Sequence, residues 1–269
     1  MATAETRTEH YVSRPDGRVY YYKVGHGEPL VLLHNVELSS FIWEKVIDAF
    51  AEHFTCYAVD MPGHDHSDIP PEQYWIEDYT KAVVDVMDDA GLERTNIAAS
   101  HGGCMVALDL AATHPQRVTK MVMDGLPYWN LERGRLLWEK FWTPRFTDTT
   151  SYDIPVKPME SWAEAVEMNP HLDREHWEKE LEIRQRSARW ISLSFEAMTK
   201  YDVEATGPRV KTPTLLLYGD GDPLRRAEQR ALDGIKGSTH AVVEGVRGGP
   251  HWEKPDEFAR LSIQFFKES

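Results

Sequence analysis

The chain has 269 residues, 41% of them hydrophobic, which is enough to bury a full core as one large domain or as a domain with an insertion. With 44 acidic and 30 basic residues the formal net charge is −14, which leaves no basic stripe to neutralise phosphates and argues against nucleic acid or an anionic membrane as a partner. No window approaches about 18 consecutive apolar residues, the first ten residues lack a basic start with an apolar run, and Cys56 and Cys104 lie in apolar stretches as buried thiols. A cytoplasmic chain without a membrane span is therefore expected, and a homodimer stays open.

Between Tyr11 and Val24, two β-rich runs flank the turn signal Pro15-Asp16-Gly17 and predict a hairpin. Leu30 to Leu33 is a continuous apolar run of the kind a strand buried on both faces shows, closed by His34-Asn35. A helix with Ile42, Val46, Ile47 and Phe50 on its apolar positions follows, then a second buried strand over 55–59 that ends at Asp60. Residues 61–71 read as loop, and 72–90 as a helix with Ile76, Tyr79, Val83, Val84 and Met87 on one face. Strands are expected over 96–99 and 118–123, the latter ending at Asp124. Such alternation predicts an α/β fold with a mainly parallel sheet covered on both sides.

The alternation stops between 127 and 212, a polar helical stretch with an irregular middle at 143–158 and six of the nine tryptophans: Trp129, Trp138, Trp142, Trp162, Trp177 and Trp190. It reads as a helical cap inserted into a core made of residues 1–126 and 213–269. Strands over 214–218 and 238–243 resume the sheet, and a terminal amphipathic helix over 255–266 closes the chain.

The chemistry is expected at residues 95–115, where a short strand runs through Ala98-Ala99-Ser100-His101-Gly102-Gly103 into a helix. A serine at so sharp a bend needs small neighbours two positions away on each side, and Ala98 and Gly102 supply them. The helix start that follows turns free N–H groups towards any developing oxyanion.

Taken together, these elements resemble the α/β-hydrolase superfamily. His34-Asn35 followed by Trp43 resembles its His-Gly…Trp segment, and Asp60-Met61-Pro62-Gly63-His64-Asp65-His66-Ser67-Asp68 its Asp-x-Pro-Gly-x-Gly-x-Ser-Asp loop, with Asp65 and His66 departing from it. The Ser100 corner, the run from His114 to Val118, the turn Gly219 to Pro223 and Glu253-Lys254-Pro255 resemble the remaining motifs. The resemblance implies Ser100 as nucleophile and the backbone N–H groups of Val36 and His101 as oxyanion hole. It implies Asp222 as the leading acid, with Asp124 as the alternative at the end of the preceding strand. His34 is expected to hold the oxyanion loop, and the pocket to draw on His34, Asn35, Trp129, Trp138 and Trp252. The side chain of His101 is expected to point along the helix start, with a structural or substrate-contacting part. His64, Asp65, His66, Asp68 and Glu37 read as solvated loop residues rather than a metal site.

The histidine departs from the pattern. Gly248-Gly249-Pro250-His251-Trp252-Glu253-Lys254-Pro255 matches the family's prolines and glutamate but puts Gly248 where the histidine belongs. Either the loop is three residues shorter and His251 serves as base, or the register is ungapped and His251 merely packs. The first alternative resembles the His-Trp of carbon–carbon bond hydrolases. The leading expectation is Ser-dependent hydrolysis of an ester, lactone or carbon–carbon bond in an apolar or aromatic small molecule. Two others remain: a non-hydrolytic catalyst resembling the cofactor-free dioxygenases of this fold, or a lyase or cyclase; and a ligand-binding protein with a decayed triad. None of them calls for a cofactor.

Overall fold

A computed structural model describes residues 6–143, 161–168 and 172–268. The expected hairpin forms from β1 (Thr8–Arg14) and β2 (Gly17–Gly25), with Gly17 at φ +132° in the turn. β3 (Glu28–Leu33), β4 (Phe54–Asp60), β5 (Thr95–Ser100), β6 (Val118–Asp124), β7 (Thr214–Gly219) and β8 (Thr239–Val243) complete an eight-stranded sheet of order β1-β2-β4-β3-β5-β6-β7-β8. Pairing is antiparallel from β1 to β2 to β4 and parallel from β4 onward.

The central strands are apolar throughout because both of their faces are covered. Val31 and Leu33 point into one apolar layer while Leu30 and Leu32 point into the other, and all four are fully buried. The first layer is roofed by α2 (Ile76–Asp89) and α3 (Gly102–Thr113), the second by α1 (Ile47–Ala51) and α11 (Pro255–Lys267). The helix expected across Ile42 to Phe50 is two pieces: a 3-10 turn at Ser40–Trp43, capped by Ser39, and then α1. Of the face expected on α2, Val84 is only partly buried, and Val86 takes its place in the core.

Between β6 and β7 the chain leaves the sheet and forms α4 (Leu131–Leu137) with a π-helical turn at Trp138–Trp142, α5 (Trp162–Met168), α6 (Arg174–Arg186), α7 (Ala188–Thr199) and the short α8 (Val203–Thr206). This is the helical cap. Of the irregular middle expected within it, residues 144–158 lie outside the described residues. The cap is seated on the loop after β4: the indole of Trp190 covers Gly63, the Trp190 Nε1–H donates to Tyr79 Oη (2.6 Å), and Arg186 pairs with Asp65 (2.6 Å). After β7 come α9 (Glu228–Gly234), β8 and α10 (Pro250–Glu253), which leads into α11.

Candidate active site

In a parallel sheet the carboxyl ends of the strands open together, and the loops beyond them build the site. β5 ends at Ser100 and β6 at Asp124, and the two are register partners. Ser100 is fully buried, and its Oγ has no hydrogen-bond partner. The bend itself falls one residue later than the sequence pattern suggested. His101, not Ser100, carries the positive φ, at φ 44° and ψ −108°, and α3 starts at Gly102. The small neighbours two positions from the bend are therefore Ala99 and Gly103. A Cβ on Gly103 would come within 2.6 Å of the carbonyl oxygens of Leu33 and His34.

The shift changes the oxyanion hole. The His101 N–H donates to the Asp124 carbonyl (2.8 Å), extending the β5–β6 ladder, so it does not face the cavity as expected. The N–H following the bend belongs to Gly102, which lies against Val36. The loop of Val36 is held from below by two histidines. His34 Nε2 accepts from the Met61 N–H (2.9 Å) and its Nδ1 meets the Asn35 carbonyl, while His64 Nε2 meets the Val36 carbonyl (3.0 Å). Burial holds both imidazoles below the ordinary histidine value, and His34 is lowered further because protonating both neighbouring rings would bring two positive charges together, so both act as neutral struts.

His251 reaches the site because Pro250, at the first position of α10, starts a short helix directly after Gly249. Its Nδ1–H donates to Asp124 Oδ2 in a short hydrogen bond. The ring is 93% covered, packed between Trp43 (5.3 Å) and Phe258 (5.9 Å) and against Gly249, where any side chain would strike it. The preceding loop is tied down by Glu253, whose carboxylate accepts the N–H groups of Arg247 (3.2 Å) and Gly248 (2.5 Å). The structure thus brings His251 to the end of the sheet across the Gly248-Gly249 loop.

The acid beside His251 is Asp124, whereas Asp222 was the leading expectation. Asp222 caps the turn after β7, with Oδ1 accepting from the Leu224 N–H (2.8 Å), and its Oδ2 lies 3.7 Å from His101 Nε2. Two His–Asp pairs therefore stand side by side, His251 with Asp124 and His101 with Asp222. For His101, burial lowers the pKa, but Asp222, together with the Asp124 and Glu37 carboxylates, outweighs it and leaves the group above the ordinary histidine value.

The histidine of each pair borders a cavity of about 300 Å³, within the range of small-molecule sites. Ser100, Asn35, Leu38 and Ile42 line it from the core, Trp252 from α10, and Trp177, Glu180 and Arg184 from the cap. Of the expected pocket residues, Asn35 and Trp252 are there. His34 is buried beneath the loop, Trp129 donates Nε1–H to the Met198 carbonyl (3.3 Å) and Trp138 packs on the core cluster, so these three do not line the cavity. Glu180 and Arg184 were not anticipated, because an i,i+4 acid–base pair on a polar helix normally marks a solvated face. Here Arg184 lies near both Glu37 (3.5 Å) and Glu180 (3.6 Å). Burial raises the pKa of Glu180, but the His176 ring and Arg184 outweigh it and keep the acid below its usual range.

Residues 28–252 match a protein family described as alpha/beta hydrolase fold. The chain belongs to this family. Among its α/β-hydrolase relatives, Epoxide hydrolase 1 of Caenorhabditis elegans is 22% identical over 92% of the chain, which spans 66% of that protein's length. The 2-hydroxy-6-oxo-6-phenylhexa-2,4-dienoate hydrolase of Comamonas testosteroni is 25% identical over 94% of the chain and 92% of the relative. Of the solved α/β-hydrolase structures, an enol-lactonase from Burkholderia xenovorans LB400 superposes with a TM-score of 0.77 at 19% identity, over 96% of this chain and 100% of the other, a likeness of fold.

The polar cluster around His64 disperses in this member of the family. Asp68 pairs with Arg18 (3.1 Å), Glu37 with Arg184, and His64 is buried. His66 donates Nδ1–H to Asp60 Oδ2 (2.9 Å), and Asp60, Asp65 and His66 have ligand-type atoms within 4.8 Å of one another. Asp60 Oδ1 also accepts the Ser40 N–H (2.8 Å), which gives this acid a structural task.

Proposed function

We propose that this α/β-hydrolase acts by general-base catalysis through His251 and Asp124 on a small apolar or aromatic molecule carrying an acidic hydroxyl or an enolisable carbonyl. The hydrogen bond from His251 Nδ1–H to Asp124 carries this reading. It fixes the tautomer, leaves Nε2 with the free lone pair, and lets the Asp124 charge stabilise the imidazolium that forms. A proton passes from the substrate O–H or C–H to Nε2, and the electron pair stays on the substrate as an enolate or phenolate. The relative that hydrolyses a phenyl-bearing hydroxy-oxo-dienoate, and the neighbour described as an enol-lactonase, act on molecules of comparable chemistry, which supports the choice of substrate class. Leu38, Ile42, Trp177 and Trp252 supply apolar walls for a ring.

A second reading, Ser-dependent hydrolysis of an ester, lactone or carbon–carbon bond, is favoured by one observation: the Ser100 hydroxyl, buried and unbonded, borders the same cavity as His251. Against it, Ser100 makes no hydrogen bond to the imidazole that would activate it, and the bend that presents an elbow nucleophile is occupied by His101. Two experiments decide. On a turned-over aromatic enol or lactone, His251→Gln and Asp124→Asn are expected to lower kcat by about 10²-fold or more, and Ser100→Ala by less than about tenfold. Covalent capture of Ser100 by a fluorophosphonate, lost in Ser100→Ala, would move the assignment to the hydrolase reading. Oxygen uptake during turnover marks the dioxygenase branch of the base reading, and its absence the lyase or isomerase branch.

A further inference from the structure

His101 sits where no L-residue sits without cost. A non-glycine backbone at φ 44°, ψ −108° is strained, and glycine would adopt it freely. A second backbone accommodation accompanies it. Gly125, at φ +66°, has no Cβ, and one built there would lie 2.4 Å from the His101 ring and 2.8 Å from Asp222 Oδ2. Together these two features allow one contact, the approach of His101 Nε2 to Asp222 Oδ2 at 3.7 Å. Both atoms are buried, and neither has a hydrogen-bond partner. The Cδ2–Nε2 edge of the ring is thus sealed against Gly125 and Asp222. A third of the side chain remains open, and His101 borders the cavity, so the open part is the opposite edge, which carries Nδ1.

We infer that the His101 imidazole, set with its Nε2 edge against Asp222 and its opposite edge on the cavity, is the oxyanion-binding group of this site: its Nδ1–H receives the anionic oxygen of a small aromatic carboxylate, phenolate or enolate. The inference deepens the base reading by naming where the charge created by His251 comes to rest. The proton lost from the substrate goes to His251 Nε2, and the electron pair left on oxygen accepts the hydrogen bond from His101. A protonated imidazole facing a conjugated oxyanion is a stronger donor than a neutral one. Asp222 from the turn after β7, Asp124 from β6 and Glu37 from the loop after β3 act on the charge of His101, and the titratable and charged groups that share its cavity are Glu180 and Arg184 from α6 and Arg247, His251 and Glu253 from the loop and helix after β8. Asp222, with Asp124 and Glu37, raises the His101 pKa above its ordinary value against the opposing effect of burial.

Benzoate, which has no proton to give near neutral pH, tests this without turnover and so separates it from the base reading. Calorimetric titration of the full chain is expected to give a dissociation constant at least about tenfold weaker in His101→Asn than in the parent, since a charge-assisted hydrogen bond is lost. Asparagine, like histidine, is disfavoured at φ 44°, ψ −108°, so the substitution leaves the backbone penalty at the bend in place. In the parent, affinity should fall as pH rises through the pKa of His101, followed by the NMR shift of its ring Cε1 proton. Asp222→Asn, whose amide oxygen still caps Leu224, should move that fall to lower pH. Equal benzoate affinity in His101→Asn and parent, or a pH profile untouched by Asp222→Asn, overturns the inference. If His101→Asn fails to fold by circular dichroism, the Asp222→Asn profile alone decides. Loss of turnover in His251→Gln with benzoate binding insensitive to His101 would leave the base reading standing and remove this one.

Discussion

At the scale of single residues, the site rests on His101 being held where its backbone is strained. Relief of that strain should be measurable: His101→Gly is expected to raise Tm by several degrees, as about 1–3 kcal/mol of conformational penalty is released, while weakening benzoate binding. A lower Tm in thermal denaturation would show instead that the contact with Asp222 outweighs the strain. Which residue occupies the bend was not legible in the sequence, for a specific reason. Ala98-x-Ser100-x-Gly102 and Ala99-x-His101-x-Gly103 both satisfy the small-x-nucleophile-x-glycine pattern, because alanine and glycine each occur as a pair. Familiarity of serine in that role favoured the first register, and only the backbone angle distinguishes them. Asp124 and Asp222 were also ambiguous: Asp124 ends β6, Asp222 lies in the turn after β7, and either could cap the helix that follows. The choice depends on which carboxylate lies across from His251, and that is Asp124, 127 residues away in sequence.

At the scale of elements, strands were easier to read than helices. Runs such as Leu30 to Leu33 and Leu215 to Leu217 are apolar without interruption because they are buried on both faces, and they appear in the structure within a residue or two of the expected limits. Helix α6 was opaque because its charged residues do two jobs. Its sequence is that of a solvated helix, yet Glu180 and Arg184 face the cavity while Arg186 ties the cap to Asp65. The cap seat itself depends on Gly63, where a Cβ would lie 2.1 Å from the Trp190 indole. Gly63→Ala is therefore expected to displace Trp190 from the Tyr79 hydroxyl. The cap helices should become more sensitive to limited proteolysis and the tryptophan emission should shift to longer wavelength, with the core β-sheet signal in circular dichroism retained. An unchanged cleavage pattern would show that the cap is held elsewhere.

At the scale of the whole molecule, histidine protonation links the fold to pH in two directions. His34 and His64, buried and neutral, have pKa values below the ordinary 6.5, so the unfolded chain takes up protons first as the medium acidifies. Their contribution to stability is complete above about pH 6.5 and is lost progressively below it. His66 and His101 are raised and act in the opposite sense, contributing below the ordinary value and losing that contribution as pH rises through their own. In urea titrations between about pH 8 and about pH 5, His64→Gln should therefore lose less of its midpoint on acidification than the parent does; parallel curves would contradict the assignment of His64 as a neutral strut. The two adjacent His–Asp pairs also bear on how a substrate arrives. A protein with a formal charge of −14 repels anions at a distance, whereas the proposed oxyanion site would hold one. On that proposal, the neutral conjugate acid would cross the repulsive field unhindered and ionise after entry. Added salt, by shortening the reach of that field, should speed the association of benzoate while leaving that of benzamide unchanged.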